Sequence, residues 1–316
     1  MIKDGSGGGA AEQPVLAVTD LRMRYGTKDV LNGVNFTAHR GEVIALLGPN
    51  GAGKTTTIEI LEGFRMRSAG DVDVLGVDPA HGGEAWRANL GVVLQSWRDH
   101  GKWKVRELLH HLGMYYRPYS TDAIQRPRNT DELIHTVGLS EQADKKIATL
   151  SGGQRRRLDV AIGIVGRPRI LFLDEPTVGF DPHARREFHD LVHRLADLDD
   201  TTILLTTHDL DEAEKLADRI LILAGGRIIA DGSADALARR MSTEAEVTWT
   251  LDGERFVHST LAATEYVRNL FAEHGDRLED LEVRRATLEE TYMEMVRRFE
   301  MGEGASAARV FEEVTR

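Results

Sequence analysis

The sequence predicts an α/β fold: a mostly parallel sheet flanked by helices, with an antiparallel β subdomain, a helical insertion and a small α+β appendage towards the C-terminus. Three observations predict it. Strand-like and helical stretches alternate along most of the 316 residues, one apolar strand runs through a glycine-rich loop into a helix, and a second apolar strand ends in paired carboxylates.

Taken in order, residues 15–20 and 33–38 read as short strands from their alternating or β-branched composition, and 42–47 reads as a fully buried strand. That third strand meets glycines, and a helix begins at Lys54. A strand near 71–75, a helix around 84–90 and a strand at 91–94 follow. Residues 101–150 change character: 105–116 and 130–137 have helical spacing, no strong strand intervenes, and Pro118 and Pro127 punctuate the connection. This is a helical insertion, spanning about 97–165 when the helix at 154–166 is included. Apolar runs at 170–173 and 202–205 restore the rhythm, and 220–223 with 227–230 reads as a hairpin through Gly225-Gly226. Past Met241 come a strand at 246–251, a turn at Asp252-Gly253, and helices near 261–274 and 287–298. The expected organisation is a flexible tail over 1–13, a main domain over 14–240 and an accessory domain over 241–316, whose last residues, 305–316, are a frayed helix or disordered.

Composition narrows the function. With 41% hydrophobic residues the chain buries a sizeable core, and its longest apolar runs fall far short of the roughly 18 to 20 residues that cross a bilayer. The first residues lack the charged-then-apolar order of a signal peptide, which points to the cytosol. No cysteine is present, so disulfides, thiolate metal sites and cysteine nucleophiles are excluded. A formal charge of −11 repels nucleic acid on average, so no nucleic-acid partner is expected.

Gly48-Pro49-Asn50-Gly51-Ala52-Gly53-Lys54-Thr55 fits the G-x-x-x-x-G-K-[ST] pattern of a P-loop NTPase, between an expected strand and an expected helix. Its glycines let backbone N–H groups approach phosphate, with Thr56 following in the helix's first turn. Lys54 reaches the β- and γ-phosphates as a point charge, and the Thr55 hydroxyl ligates Mg²⁺. The strand 170–173 delivers Asp174 and Glu175 to the carboxyl edge of the sheet, where ligands of such folds bind. Asp174 holds the Mg²⁺ shell. Glu175 accepts a proton from the water attacking the γ-phosphate.

Leu150-Ser151-Gly152-Gly153-Gln154 resembles the signature of the ABC ATPases. Physically it is a second anion site, with Ser151 as N-cap and the paired glycines exposing N–H groups at a helix start. The resemblance implies that this signature closes over ATP held by the phosphate loop of a second copy, with two nucleotides buried between head-to-tail partners. In the same order, Gln95 resembles the family's Q-loop glutamine, which senses Mg²⁺ and the attacking water. Asp181 resembles the D-loop aspartate, with Phe180 where leucine is more usual. His208 resembles the switch histidine that hydrogen-bonds the γ-phosphate, and Tyr25 is placed like the aromatic that stacks on adenine. The resemblance covers about 15–240 with every catalytic motif intact. Arg155-Arg156-Arg157 reads as a solvated helix face, and Trp97 and Trp103 lie where the family's helical subdomain meets the membrane partner, although core packing accounts for them equally well.

The stretch 48–57, the phrase Leu61-Glu62-Gly63 and the segment 287–292 are similar to subunits of bacterial ABC-2 type exporters of the antibiotic and daunorubicin-resistance group. This implies a homodimer, a separate multi-helix permease that holds the chain at the cytoplasmic face of the cell membrane, and export of drugs, lipids or related hydrophobic compounds. Two alternatives are an importer subunit and a soluble ABC ATPase of another class. The latter usually has two cassettes in one chain, or a long coiled coil between phosphate loop and signature, and this chain has neither.

Overall fold

The computed structural model describes residues 13–93, 100–178, 180–241, 245–285, and Glu289, Tyr292, Met293 and Val296. The elements that position the chemistry run in the order β1 (Leu16–Tyr25), β2 (Lys28–Ala38), β3 (Val43–Leu47), α1 (Lys54–Leu61), β4 (Ala69–Val74), α2 (Glu84–Arg87) and β5 (Leu90–Val93). The helical insertion contributes α3 (Val105–Met114), α4 (Thr130–Thr136) and α5 (Gly152–Ile164). Then come β6 (Ile170–Asp174), α6 (Pro182–Asp199), β7 (Thr202–Thr207), α7 (Leu210–Leu216), β8 (Arg219–Ala224), β9 (Arg227–Gly232) and α8 (Ala234–Met241). Finally there are β10 (Ala245–Leu251), β11 (Glu254–Thr260), α9 (Ala263–His274) and β12 (Leu278–Arg285).

Six strands form the central sheet in the order β5-β6-β7-β3-β8-β9, parallel except for the β8-β9 hairpin. Every residue of β3 is buried, as a strand covered on both faces requires. Its alternate side chains serve different cores. Ala45 and Leu47 join Leu171, Leu205, Leu108, Leu158 and Phe188 beneath the helices, whereas Ile44 and Leu46 join Phe172, Leu204, Ile58 and Leu61 beneath the antiparallel sheet β2-β1-β4.

Several elements differ from expectation for local reasons. β1 and β2 extend to Tyr25 and back to Lys28 as one hairpin; Asp20, at φ 48°, interrupts the ladder and hides the alternation. The helix expected over 84–90 stops at Arg87, because Leu90 enters β5 and pairs with Ile170. The long helix α6 was not anticipated, although Asp181 caps it, Pro182 opens it, and Phe188, Leu191, Val192 and Leu195 form its buried stripe. Also unanticipated are α7, α8, β11 and β12.

In the C-terminal part, α9 covers a three-stranded sheet of order β11-β10-β12, burying Val247, Trp249, Ala263 and Leu270. Tyr292 returns to the main core and is buried there. Most of the expected tail 1–13 and most of the helix expected at 287–298 lie outside the described residues, as do the last residues of the chain.

Candidate functional site

The phosphate loop joins the buried end of β3 to α1, and only glycine fits where it turns. A Cβ on Gly48 would stand 2.3 Å from the carbonyl oxygen of Leu223, and one on Gly53, at φ 107°, would stand 2.6 Å from Leu31. Gly53 is the N-cap of α1 and offers no side-chain acceptor, so the first turn keeps its N–H groups for a ligand. Lys54, the next residue, is buried. Its Nζ donates to the carbonyls of Gly48 at 2.8 Å and Pro49 at 3.2 Å, and lies 3.7 Å from a Glu175 carboxylate oxygen. Burial pulls the Lys54 pKa down, against the opposing pull of Glu175 and Asp174.

The ends of β3, β6 and β7 converge on this lysine. Asp174 pairs with Thr206 across the ladder, and the Thr206 hydroxyl donates to its carboxylate at 2.6 Å. The Thr55 hydroxyl lies 3.2 and 3.3 Å from the two Asp174 carboxylate oxygens. Glu175 has a left-handed backbone, φ 44°, which for a residue with a Cβ costs on the order of 1–3 kcal/mol. Its N–H donates to Thr206 Oγ1 at 3.0 Å, and its carboxylate stands 3.3 Å from Nδ1 of His208.

The donor set suits Mg²⁺. One carboxylate and one hydroxyl lie beside a phosphate-ready loop, and among the described residues no cluster of three His, Cys, Asp or Glu forms a protein cage for a metal. Mg²⁺ bound with a nucleotide takes only one or two protein oxygens and fills the rest with phosphate and water. Gln95, the third expected ligand, lies outside the described residues, as does Trp97.

The signature residues gather elsewhere. Ser151 caps α5 with a reciprocal box: its Oγ accepts from Gln154 N at 3.3 Å, and its own N–H donates to Gln154 Oε1 at 3.0 Å. Gly152 and Gly153 line a cavity of about 500 Å³ with Phe180 and Asp181. Asp181 accepts from the N–H groups of His183 and Ala184, both at 2.9 Å, which holds its pKa down. Among the described residues, no hydrogen bond or ion pair joins Ser151, Gly152, Gly153 or Gln154 to Lys54, Asp174, Glu175 or His208.

Tyr25 ends β1 and is 40% exposed, and the Arg65 guanidinium lies 5.3 Å from its ring centroid, held by Glu59 at 2.6 Å. Sequence reasoning missed Arg65, Thr206, Glu212 and Arg156. A polar pair at the end of an apolar strand signals Thr206, but no local spacing signals the others. The solvated face expected of Arg155, Arg156 and Arg157 is corrected: Arg156 is buried, its Nε donating to Pro176 O at 2.9 Å and its Nη2 to Asp174 O at 3.1 Å, and Arg155 and Arg157 are mostly covered. A helix packed against the sheet has little solvated face to offer. Trp103 packs against the main core and stacks on His100 at 5.6 Å.

Comparison with known proteins agrees with this geometry. The ABC transporter family model matches residues 31–178. The chain is 41% identical over 235 residues to Nod factor export ATP-binding protein I of Ralstonia nicotianae, covering 73% of this chain and 71% of that protein. It is 35% identical over 310 residues to daunorubicin resistance ATP-binding protein DrrA3 of Streptomyces coeruleorubidus, covering 89% of this chain and 95% of that one. A solved ATP-binding subunit of an ABC transporter superposes with a TM-score of 0.61 at 28% identity, covering 72% of this chain and 92% of its own. Among the described residues no helix is long and apolar enough to cross a membrane.

Proposed function

Since this chain belongs to the ABC transporter ATP-binding family, we propose that its ATP hydrolysis drives an exporter: two copies close head to tail over two nucleotides and pass the motion to a separate multi-helix permease. The chain itself is an ATP-binding ATPase. In the proposed site, residues 48–56 and Lys54 grip the triphosphate, and Tyr25 stacks on the base. Mg²⁺, held by Thr55 and Asp174 with Gln95 completing the set, would offset charge between the β- and γ-phosphates. Glu175 takes the proton of the attacking water, and His208 touches the γ-phosphate and orients Glu175. Ser151, Gly152, Gly153, Gln154 and Asp181 serve the nucleotide of the other copy.

The separation of the two halves within one chain carries this reading. Lys54, Asp174, Glu175 and His208 form one cluster, whereas the Ser151 helix end opens a cavity with no phosphate-gripping lysine of its own, so a second copy completes each site. Names of relatives support the export reading, one being a Nod factor export protein and one a daunorubicin resistance protein. Cargo choice belongs to the permease, which anchors the ATPase at the cytoplasmic face of the membrane. Residues 241–316 act as an accessory unit on a main domain of 14–240, a division supported by the separate β11-β10-β12 sheet.

Glu175→Gln tests the proposal. Steady-state Mg-ATP hydrolysis should fall about a hundredfold or more, the scale of a lost general base, while ATP binding persists and an ATP-held dimer accumulates in size-exclusion chromatography. Wild-type turnover by this variant would remove Glu175 from its role, and a variant that stays monomeric with ATP bound would argue against the head-to-tail closure.

A further inference from the structure

The residue before Glu175 and the two after it are gripped by buried charged side chains that no motif singles out. From α5, Arg156 reaches across with one guanidinium to the carbonyls of both Asp174 and Pro176, the residues that bracket Glu175. From α7, the buried carboxylate of Glu212 accepts from the Thr177 hydroxyl at 2.6 Å with one oxygen and from the Thr207 hydroxyl at 2.6 Å with the other. Thr177 lies two residues after Glu175, and Thr207 immediately precedes His208. The Glu212 carboxylate therefore ties the segment carrying the proposed base to the segment carrying its histidine partner, whose side chains stand 3.3 Å apart.

Such bracing answers a specific need. A left-handed glutamate persists only where its surroundings over-determine the conformation. The bracing here comes from three elements: Thr206 of β7 holds the Glu175 N–H, Arg156 holds the carbonyls before and after it, and Glu212 holds the turn that follows. Burying a guanidinium and a carboxylate separately is costly unless their polar atoms find partners, and here Arg156 donates to two backbone carbonyls and Glu212 accepts from two hydroxyls.

We infer that Arg156 and Glu212 are positioning residues for hydrolysis: together they fix the Glu175 backbone and its spacing to His208, and through Arg156 they connect the signature helix to the base in the same chain. This rests on the reading of Glu175 as the proton acceptor. The inference separates catalysis from binding, because the phosphate loop that grips ATP lies outside the braced segment.

Thr177→Val gives the gentlest test, since it removes one hydroxyl at constant volume, and Thr177→Ser restores that hydroxyl. In full-length protein, kcat for Mg-ATP should fall about tenfold or more in Thr177→Val, as expected when a reacting group is displaced by a fraction of an ångström, with KM and binding of a slowly hydrolysed ATP analogue within about twofold of wild type. Thr177→Ser should recover most of the loss, and Glu212→Gln should behave like Thr177→Val. Wild-type kcat in both Thr177→Val and Glu212→Gln would overturn the inference while leaving the Glu175 assignment standing. Equal losses of analogue affinity and kcat, without rescue by serine, would reduce the network to a structural support and overturn it as well. If instead Glu175→Gln hydrolyses ATP normally, the underlying reading fails and takes the inference with it.

Discussion

The starts of α1 and α5 look alike in the sequence, each a glycine-bearing turn into a helix, yet the fold treats them in opposite ways. At α1 no side chain caps the helix, its first lysine is buried, and the carboxylate of Glu175, just past the end of β6, lies within 4 Å of that lysine. At α5 the helix caps itself through Ser151 and Gln154, and its cavity is bordered by Arg157 and His183 as well as by the acidic Asp181 and Glu187. An uncapped, charge-loaded helix end already holds the electrostatics of a bound phosphate. A self-capped, exposed one satisfies its own first turn, as the proposed closure over a second copy's nucleotide requires. The contrast teaches that similar loops can build one end loaded for phosphate and one closed on itself, the difference on which the proposed head-to-tail closure depends.

The largest expected effect sharpens this contrast. In Gly153→Asp a Cβ stands 3.2 Å from Ala184, and a carboxylate is placed at the helix end that the proposed closure sets against the γ-phosphate of the other copy. Turnover should drop roughly a hundredfold, the scale of losing one preorganised donor, while single-copy ATP affinity stays near wild type. Lost affinity in the isolated chain would mean that α5 serves its own nucleotide, which would break the comparison. Steady-state ATPase assays beside equilibrium ATP binding decide between these outcomes.

A second effect reads the two ends through stability. Glu62, at the C-terminal end of α1, is 4% exposed, and burial, aided by repulsion from Asp174 and Glu59, pushes its pKa up to about 8. The folded chain therefore holds a proton that the unfolded chain, with the ordinary glutamate pKa of about 4.5, releases. This contribution to stability is complete below about pH 4.5 and is lost as pH rises towards 8, at up to about 1.4 kcal/mol per pH unit. Glu62→Gln should flatten that decline in nucleotide- and metal-free protein, whereas Gly153→Asp should run parallel to wild type. Urea unfolding between about pH 5 and pH 8 checks it, and parallel curves for Glu62→Gln and wild type would show Glu62 to be ionised in the fold.

How much of this was legible follows from the range of the interactions. The phosphate loop, the Asp174-Glu175 strand end and the Ser151 cap were readable because each is set by residues within a few positions of one another. Arg156 and Glu212 were not, since Asp174, Pro176 and Thr177 lie 18 to 35 residues from them and only the packing of α5 and α7 against the sheet makes those charges buried. In β1 the irregular ladder at Asp20 concealed a longer strand. Helix α6 could have been read from Asp181-Pro182 and its apolar stripe, because both signals are local.

The smallest expected effect lies at the base end of the α1 half-site. Glu59 holds Arg65, and Arg65 covers one face of the Tyr25 ring, so the ring is braced although it is partly exposed. A braced ring loses less freedom when a base stacks on its other face. Tyr25→Ala should weaken ATP by roughly 1–3 kcal/mol, the worth of one stack. Arg65→Ala should weaken it by about 0.5–1 kcal/mol, the worth of an exposed cation–π contact. The double variant should bind no more weakly than Tyr25→Ala alone, because Arg65 acts through the ring. Tighter ATP binding by Arg65→Ala in calorimetric titration would reveal that the guanidinium occupies the face the adenine needs, making Arg65 a gate on the site that α1 otherwise holds ready.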